Sequence, residues 1–347
     1  MVEFAGWQMP IQYEGVRQEH LNVREKVGIF DVSHMGEIWV RGPKALATLQ
    51  WLTTNDVAKL KAGEAHYSLF PNAEGGVVDD LIVYCVQPDQ EYLLCVNASN
   101  IDKDFAFLQK NNLGADIKNE SDAWGQIAVQ GPRAVELTNQ VLGRNYTELS
   151  YFHFAAIEYR GAKCWLARTG YTGEDGFEIF VPRETTSVLW NAFLQQGEKF
   201  GIKPIGLAAR DTLRTEMKYC LYGHEINDTS NPYEAGLGWV VKPKAKDFLG
   251  RQKILSKKEA GLANKLVAFK VLDKGIPREG YGLFSFDNKE IGKVTSGTMS
   301  PSLNIGVGIG YVSESCSIEG TEIFVDIRGR KVKAQVVKAA LTKSAQQ

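Results

Sequence analysis

The sequence predicts an α+β protein that ends in a small β-barrel or sandwich, and two observations carry that expectation. Up to Gly250, strand-length apolar runs and helical stripes follow one another without the strict alternation that a doubly wound sheet requires. Beyond Gly250 a charged segment, Arg251 to Glu259, reads as a linker. After it come six short runs separated by turns, with almost no helical patterning. A length of 347 residues fits two or three domains at roughly 150 residues each.

The opening Val2-Glu3-Phe4-Ala5-Gly6-Trp7-Gln8-Met9-Pro10 is dense and aromatic, and is read as the start of a domain without a short N-terminal extension. Gly15 to Val27 has helical spacing, Ile38 to Arg41 is a strand, and Pro43 to Leu52 is a helix opening after Gly42. His66 to Phe70, Leu81 to Val86, Tyr92 to Asn97 and Gln126 to Val129 read as strands, with helices at Ser99 to Lys110 and Pro132 to Leu142. Lys163 to Arg168 and Phe177 to Val181 are strands on either side of a glycine-rich loop, Thr169 to Gly176. Glu184 to Phe200 and Leu207 to Tyr219 read as helices, the latter with Leu213 and Met217 four apart on one face. The C-terminal strands are Lys265 to Val271, Tyr281 to Phe286, Lys289 to Thr295, Ile305 to Val312, Thr321 to Ile327 and Lys331 to Val337.

Composition narrows the function classes. A charged fraction of 23% and a hydrophobic fraction of 44% are ordinary for a globular protein, and a net charge of −1 supplies no basic field for nucleic acid. The five cysteines contain no CxxC pair, and several sit in apolar runs such as Tyr84-Cys85-Val86. Buried, reduced thiols in a reducing compartment follow from that pattern. The five histidines form no HxxxH or HExxH pattern, so no metal is expected. No stretch approaches the roughly 18 apolar residues of a membrane span, and the start is not a signal peptide. A cytoplasmic protein with no membrane partner is the expectation.

The unusual chemistry concentrates in Gly75-Gly76-Val77-Val78-Asp79-Asp80-Leu81-Ile82-Val83-Tyr84. A glycine pair feeds a buried strand, yet two aspartates stand at its mouth, where a buried charge without a partner is costly. Strand alternation places Asp80 with Ile82 and Tyr84, and Asp79 with Leu81 and Val83, so at most one enters a given pocket. The plainer alternative is an aspartate capping a turn while its neighbour faces water. The loop Arg168 to Glu178 has three glycines within Gly170 to Gly176, which let backbone approach a ligand, and Tyr171 offers a stacking ring. Glu178 can accept two donors side by side, as the edge of a pterin or guanine presents them, or can be a salt-bridged glutamate on a sheet surface. Arg210 and Arg214 share a helix face, suited to carboxylate recognition or to a solvated surface. Trp239 reads as core, and Asn97 either donates into a pocket or caps the helix that follows.

In this order, Phe4 to Pro10, Phe30-Asp31-Val32-Ser33-His34-Met35-Gly36, Gly75 to Tyr84, Arg168 to Glu178, Gly206 to Asp211 and Thr295-Ser296-Gly297-Thr298-Met299-Ser300-Pro301-Ser302-Leu303 resemble the aminomethyltransferase, or T-protein, family of the glycine cleavage system. The resemblance implies a three-domain, cloverleaf-like α+β arrangement. Two interleaved, ferredoxin-like α+β subdomains would occupy 1–255 and a C-terminal β-barrel 262–340, with folate in a central channel. It also implies a reaction. A lipoylated H-protein presents an aminomethyl group, and the one-carbon unit passes to tetrahydrofolate as co-substrate, giving 5,10-methylenetetrahydrofolate, ammonia and the dihydrolipoyl arm.

By the same resemblance, Asp80 is the catalytic aspartate, and Met35, Tyr67, Tyr84 and Asn97 line its pocket. Tyr171 and Glu178 hold the pterin, and Arg210 belongs to the substrate site. Asp79 is left as a turn or sheet-edge partner, and the glycines serve to turn the chain close to a folate. No metal and no covalent protein nucleophile is implied. The segment Lys338-Ala339-Ala340-Leu341-Thr342-Lys343 departs from the family, many members of which end in an aromatic-rich stretch. Two rivals share the scaffold, a folate-dependent demethylase and a folate-binding iron–sulfur assembly factor. The signature of the latter is absent from Lys218-Tyr219-Cys220-Leu221-Tyr222-Gly223-His224-Glu225.

Overall fold

Strand alternation in the first two-thirds of the chain produces two sheets, each with a helix-covered face and a face turned toward the other sheet. The computed structural model describes residues 1–338, so Ala339 to Lys343 of the atypical tail and the end of the expected 262–340 range lie outside the described residues. Two compact units are resolved by their internal packing. One comprises Met1–Pro71, Val78–Ala209 and Lys242–Leu249, and the other Asn72–Val77, Arg210–Val241 and the described residues from Gly250 onward.

In the first unit, one sheet of five strands runs in the order Ala65–Pro71, Val77–Gln87, Glu91–Val96, Gly36–Arg41, Asp116–Asn119. A second sheet, of six strands, runs Phe154–Tyr159, Ala162–Ala167, Gly176–Pro182, Trp124–Gln130, Val27–Asp31, Ile202–Pro204. The chain leaves the second sheet after Asp31, builds the first, and returns at Trp124, so the two α+β parts are interleaved. Val40, Val83 and Leu94 of the five-stranded sheet pack under the helices Ala45–Leu52 and Ile101–Lys110 through Leu49, Leu52 and Leu108. Ile29, Val129 and Ile179 of the six-stranded sheet pack under Ala134–Leu142 and Arg183–Gly197 through Leu137, Leu189 and Phe193. Between the sheets lie Trp39, Tyr84, Leu93 and Cys95 from one side and Phe154, Trp165 and Phe180 from the other. The Tyr84 ring meets Phe154 and Phe180 edge-on at centroid distances of 5.3 and 5.5 Å. Each such buried apolar side chain contributes about 1.5–3 kcal/mol, enough to set the register by which residues must face inward.

In the second unit the six expected C-terminal strands close into a barrel, in the order Asn264–Val271, Gly306–Ser313, Glu290–Met299, Gly282–Phe284, Glu322–Ile327, Arg330–Val337. Alternate residues, among them Val267, Phe269, Leu283, Val294, Ile323, Val325 and Ala334, fill it. The register shifts between Val294 and Ser296, in the strand that carries the Thr295 to Leu303 motif. Arg214 is buried in this unit, paired to Glu225 at 2.8 Å and donating to Ser296 Oγ at 2.8 Å. It is a structural ion pair, not a solvated face.

Several expectations change. The strand expected to start at Leu81 starts at Val77, so both aspartates lie within it. The glycines before it serve protein packing: Gly75 has φ +82°, and a side chain on Gly76 would strike the Asp228 carbonyl at 1.7 Å. Arg251–Glu259 is a helix, with Gly250 left-handed at its N-cap and Ile254 fully buried, which one apolar residue among charges does not announce. Trp239 is 58% exposed and so is not core. The strands Val2–Phe4, Trp7–Met9, Val27–Asp31, Asp116–Asn119, Phe154–Tyr159 and Ile202–Pro204 join those expected. None of the five cysteines is in a disulfide, and Cys85, Cys95, Cys164 and Cys220 are buried. Among the described residues no helix is long and apolar enough to cross a membrane.

Candidate active site

Two to a face, the alternation of Val77–Gln87 separates its aspartates as the sequence suggests. Leu81 and Val83 belong to the helix-covered core, whereas Ile82 and Tyr84 belong to the inter-sheet core. Asp80 therefore points between the sheets and Asp79 points under the helix Ile101–Lys110. Tyr67 donates its phenol hydrogen to Asp80 Oδ2 at 2.9 Å, and Asn97 Nδ2 donates to Asp80 Oδ1 at 2.9 Å. Burial, then the charge of Asp79, pushes the Asp80 carboxyl up to about 7, against the two hydrogen bonds that hold it down. A carboxyl that titrates near neutrality is suited to proton relay.

Asp79 is not a turn or edge residue. It is fully buried, and accepts from Asn97 Nδ2 at 2.9 Å, from Asn100 Nδ2 at 2.8 Å and from the Asn97 backbone N–H at 3.3 Å. Asn97 makes no side-chain cap to the helical turn that follows; its amide serves the two aspartates instead. Asp104 completes this group from the first turn of Ile101–Lys110. No N–H or hydroxyl donor approaches either of its oxygens; the carboxyl it interacts with is that of Asp79, and a hydrogen bond between two carboxyls requires a proton on one of them. A helix N-terminus favours an anion by about 0.3–1 kcal/mol. A second buried charge beside Asp79 costs several kcal/mol, so burial wins and Asp104 keeps its proton.

The facing sheet supplies Glu178, whose neighbours Phe177 and Ile179 turn to the opposite core. Gln126 Nε2 donates to it at 3.2 Å, and the Thr169 hydroxyl donates to its other oxygen. Thr169 in turn lies 3.3 Å from the Tyr84 hydroxyl, which links the two sheets. Gln130 holds the glycine-rich loop by donating to the Thr169 carbonyl at 3.0 Å and accepting from Thr172 at 2.9 Å. Tyr171 stands half-buried on that loop, and Met35 packs at the edge of the inter-sheet core. Arg210 belongs to the second unit.

Sequence reasoning passed over Asn100, Asp104, Gln126, Gln130, Thr169 and Glu37. Asp104 had a signal, because it sits on the apolar stripe Ile101, Phe105, Leu108 where a charge is out of place. Gln126 and Gln130 alternate with Ala128 on one strand face, a polar stripe too regular for a core strand. Glu37 is buried with no donor to its carboxyl, which burial raises well above the usual range.

Two family descriptions match this chain, the GCVT N-terminal domain over residues 1–245 and the glycine cleavage T-protein C-terminal barrel domain over residues 264–343. The chain belongs to the glycine cleavage T-protein family. An aminomethyltransferase of Bdellovibrio bacteriovorus is 62% identical over 338 residues, which cover 97% of this chain and 94% of that one. An aminomethyltransferase of Phocaeicola vulgatus is 51% identical over 346 residues, covering 99% and 96%. The crystal structure of glycine cleavage system aminomethyltransferase T from Bartonella henselae superposes with a TM-score of 0.91 at 35% identity, covering 99% of this chain and 94% of that one. The α+β class with a terminal barrel is that of the family, and the activity of this T-protein family member is aminomethyl transfer. The demethylase and assembly-factor alternatives are not favoured by these matches.

Proposed function

We propose that the chain transfers the one-carbon unit of an aminomethyl group, carried on the lipoyl arm of an H-protein, to tetrahydrofolate, releasing ammonia. The observation that supports this most is Asp80. It is a carboxyl near its neutral point, gripped on both oxygens by Tyr67 and Asn97 and turned toward the face that presents Glu178. Tetrahydrofolate supplies the nitrogen nucleophile that accepts the carbon. Asp80 is the proposed catalytic residue: beside that nitrogen its carboxylate orients it, offsets developing positive charge and carries away a proton.

Met35, Tyr67, Tyr84, Asn97, Tyr171, Glu178 and Arg210 are the proposed binding residues. The acceptor Glu178 suits a pterin, since it is fixed by Gln126 and Thr169 and a fixed carboxylate recognises a pair of parallel N–H donors. Arg210 offers a permanent cation for a carboxylate of the substrate. The region 1–255 is proposed as the transferase part and 262–340 as the barrel domain, in a cytoplasmic protein with no nucleic-acid or membrane partner.

Ammonia release from aminomethylated H-protein, measured with and without tetrahydrofolate, tests the reading. Strong acceleration by tetrahydrofolate is expected. A release rate indifferent to it would sink the proposal.

A further inference from the structure

Behind Asp80 lies a polar group that the transfer reading leaves unused. Asp79 and Asp104 are both 0% exposed, on the helix-covered side of the strand, away from the face that Asp80 serves. Asp79 and Asp104 act on one another's ionisation, and two buried carboxyls that interact in this way do not both ionise, so the pair shares one proton. Asp79 has three nitrogen donors, at 2.8, 2.9 and 3.3 Å, and Asp104 has none. The hydrogen-bond inventory therefore places the charge on Asp79 and the proton on Asp104.

The consequence reaches Asp80 through one side chain. Asn97 Nδ2 stands 2.9 Å from Asp79 Oδ1 and 2.9 Å from Asp80 Oδ1. A primary amide has two hydrogens, so one is available to each aspartate. We propose that Asp104 is a positioning residue for the one-carbon transfer: its donated proton steadies the Asp79 anion, which fixes the Asn97 amide against the Asp80 carboxylate. The proposal rests on the reading of Asp80 as the catalytic group.

The groups that face this cluster are Tyr67 from the neighbouring strand, Asp79 and Asp80 from the central strand, Asn97 and Asn100 from the turn after the next strand, and Lys103 and Asp104 from the helix. Two opposite effects follow. The Asp79 charge opposes ionisation of Asp80, and the Asp104 donor tempers that charge.

The test is the pH profile of kcat/KM for tetrahydrofolate-dependent ammonia release, with aminomethylated H-protein as substrate. In Asp104→Ala the acid limb moves up by about half a unit to one unit, and kcat falls about tenfold. Asp104→Asn keeps a donor and brings the limb back toward the wild-type position. Asp79→Asn removes the charge and moves the limb down. A limb that stays in place in Asp104→Ala while only the melting temperature falls, or one that Asn and Ala shift alike, overturns the proposal. If Asp104→Ala does not fold, the other two variants decide: Asp79→Asn moves the limb down while Asp104→Asn leaves it near the wild-type position, and any other pattern overturns the proposal. A second readout needs no turnover: the infrared difference spectrum of wild type minus Asp104→Asn at neutral pH shows a protonated-carboxyl band, since the contributions of Asp80 and Glu37 are common to both. Identical spectra overturn the proposal. A wild-type protein that gives the difference band but no tetrahydrofolate-dependent release refutes the assignment of function instead, so the two failures are distinguishable.

Discussion

Tyr67 donates to one oxygen of Asp80 at 2.9 Å while Asn97 serves the other, so the carboxylate cannot rotate without losing a bond. Donors to a carboxylate favour its charged form. Tyr67→Phe is therefore expected to raise Asp80 above about 7 and move the acid limb of kcat/KM upward. Activity at pH 7 falls about tenfold and recovers in part at pH 8.5, on the usual scale of acid–base effects. A uniform loss at every pH would show that Tyr67 acts by binding alone.

Asp80→Asn retains the shape of the side chain and loses its proton chemistry. Tetrahydrofolate binding, followed by calorimetry, persists, while turnover drops by about one or more orders of magnitude. Near-normal turnover would remove Asp80 from the mechanism.

The same carboxyl affects stability. Its folded pKa, about 7, lies above the ordinary carboxylate value, so the folded state holds an extra proton between those two values. The stabilisation linked to Asp80 is full at low pH and is lost as pH rises through about 7. Asp80→Asn escapes that loss. Its melting temperature should gain on the wild type between pH 5 and pH 8, and a gap that narrows over this range contradicts the assigned direction.

Glu178→Gln replaces a charged acceptor with a neutral amide. Hydrogen bonds to charged groups contribute about 1.5–3 kcal/mol, so the tetrahydrofolate Kd should rise about 10- to 100-fold. An unchanged Kd would place the pterin elsewhere.

Arg214→Met leaves Glu225 buried and unpaired, at a cost of about 3–5 kcal/mol in urea unfolding. Adding Glu225→Leu to that variant should recover much of the loss. If both variants unfold alike, the pair is not the reason Arg214 is buried.

The legible parts of this chain were those whose signal is local. Alternation in Leu81 to Val86 assigned faces to Asp79 and Asp80 correctly, because side-chain direction in a strand depends only on counting by two. The barrel strands were visible for the same reason. The helix at Arg251–Glu259 was not, since its single buried residue, Ile254, leaves no apolar period. Trp239 was misread as core because an aromatic inside an apolar run carries no record of which way it faces.

By itself, then, the sequence determined the class of the fold, the family and the carboxylate Asp80 that the family resemblance singles out. Only the tertiary structure decided what surrounds that carboxylate. Tyr67 comes from a strand, Asn97 and Asn100 from one turn and Asp104 from a helix, and their placement about the aspartates depends on how the helix Ile101–Lys110 and the Ala65–Pro71 strand pack on Val77–Gln87. The ionisation of a buried carboxyl is set by those distances and by lost hydration, neither of which is written in residue order.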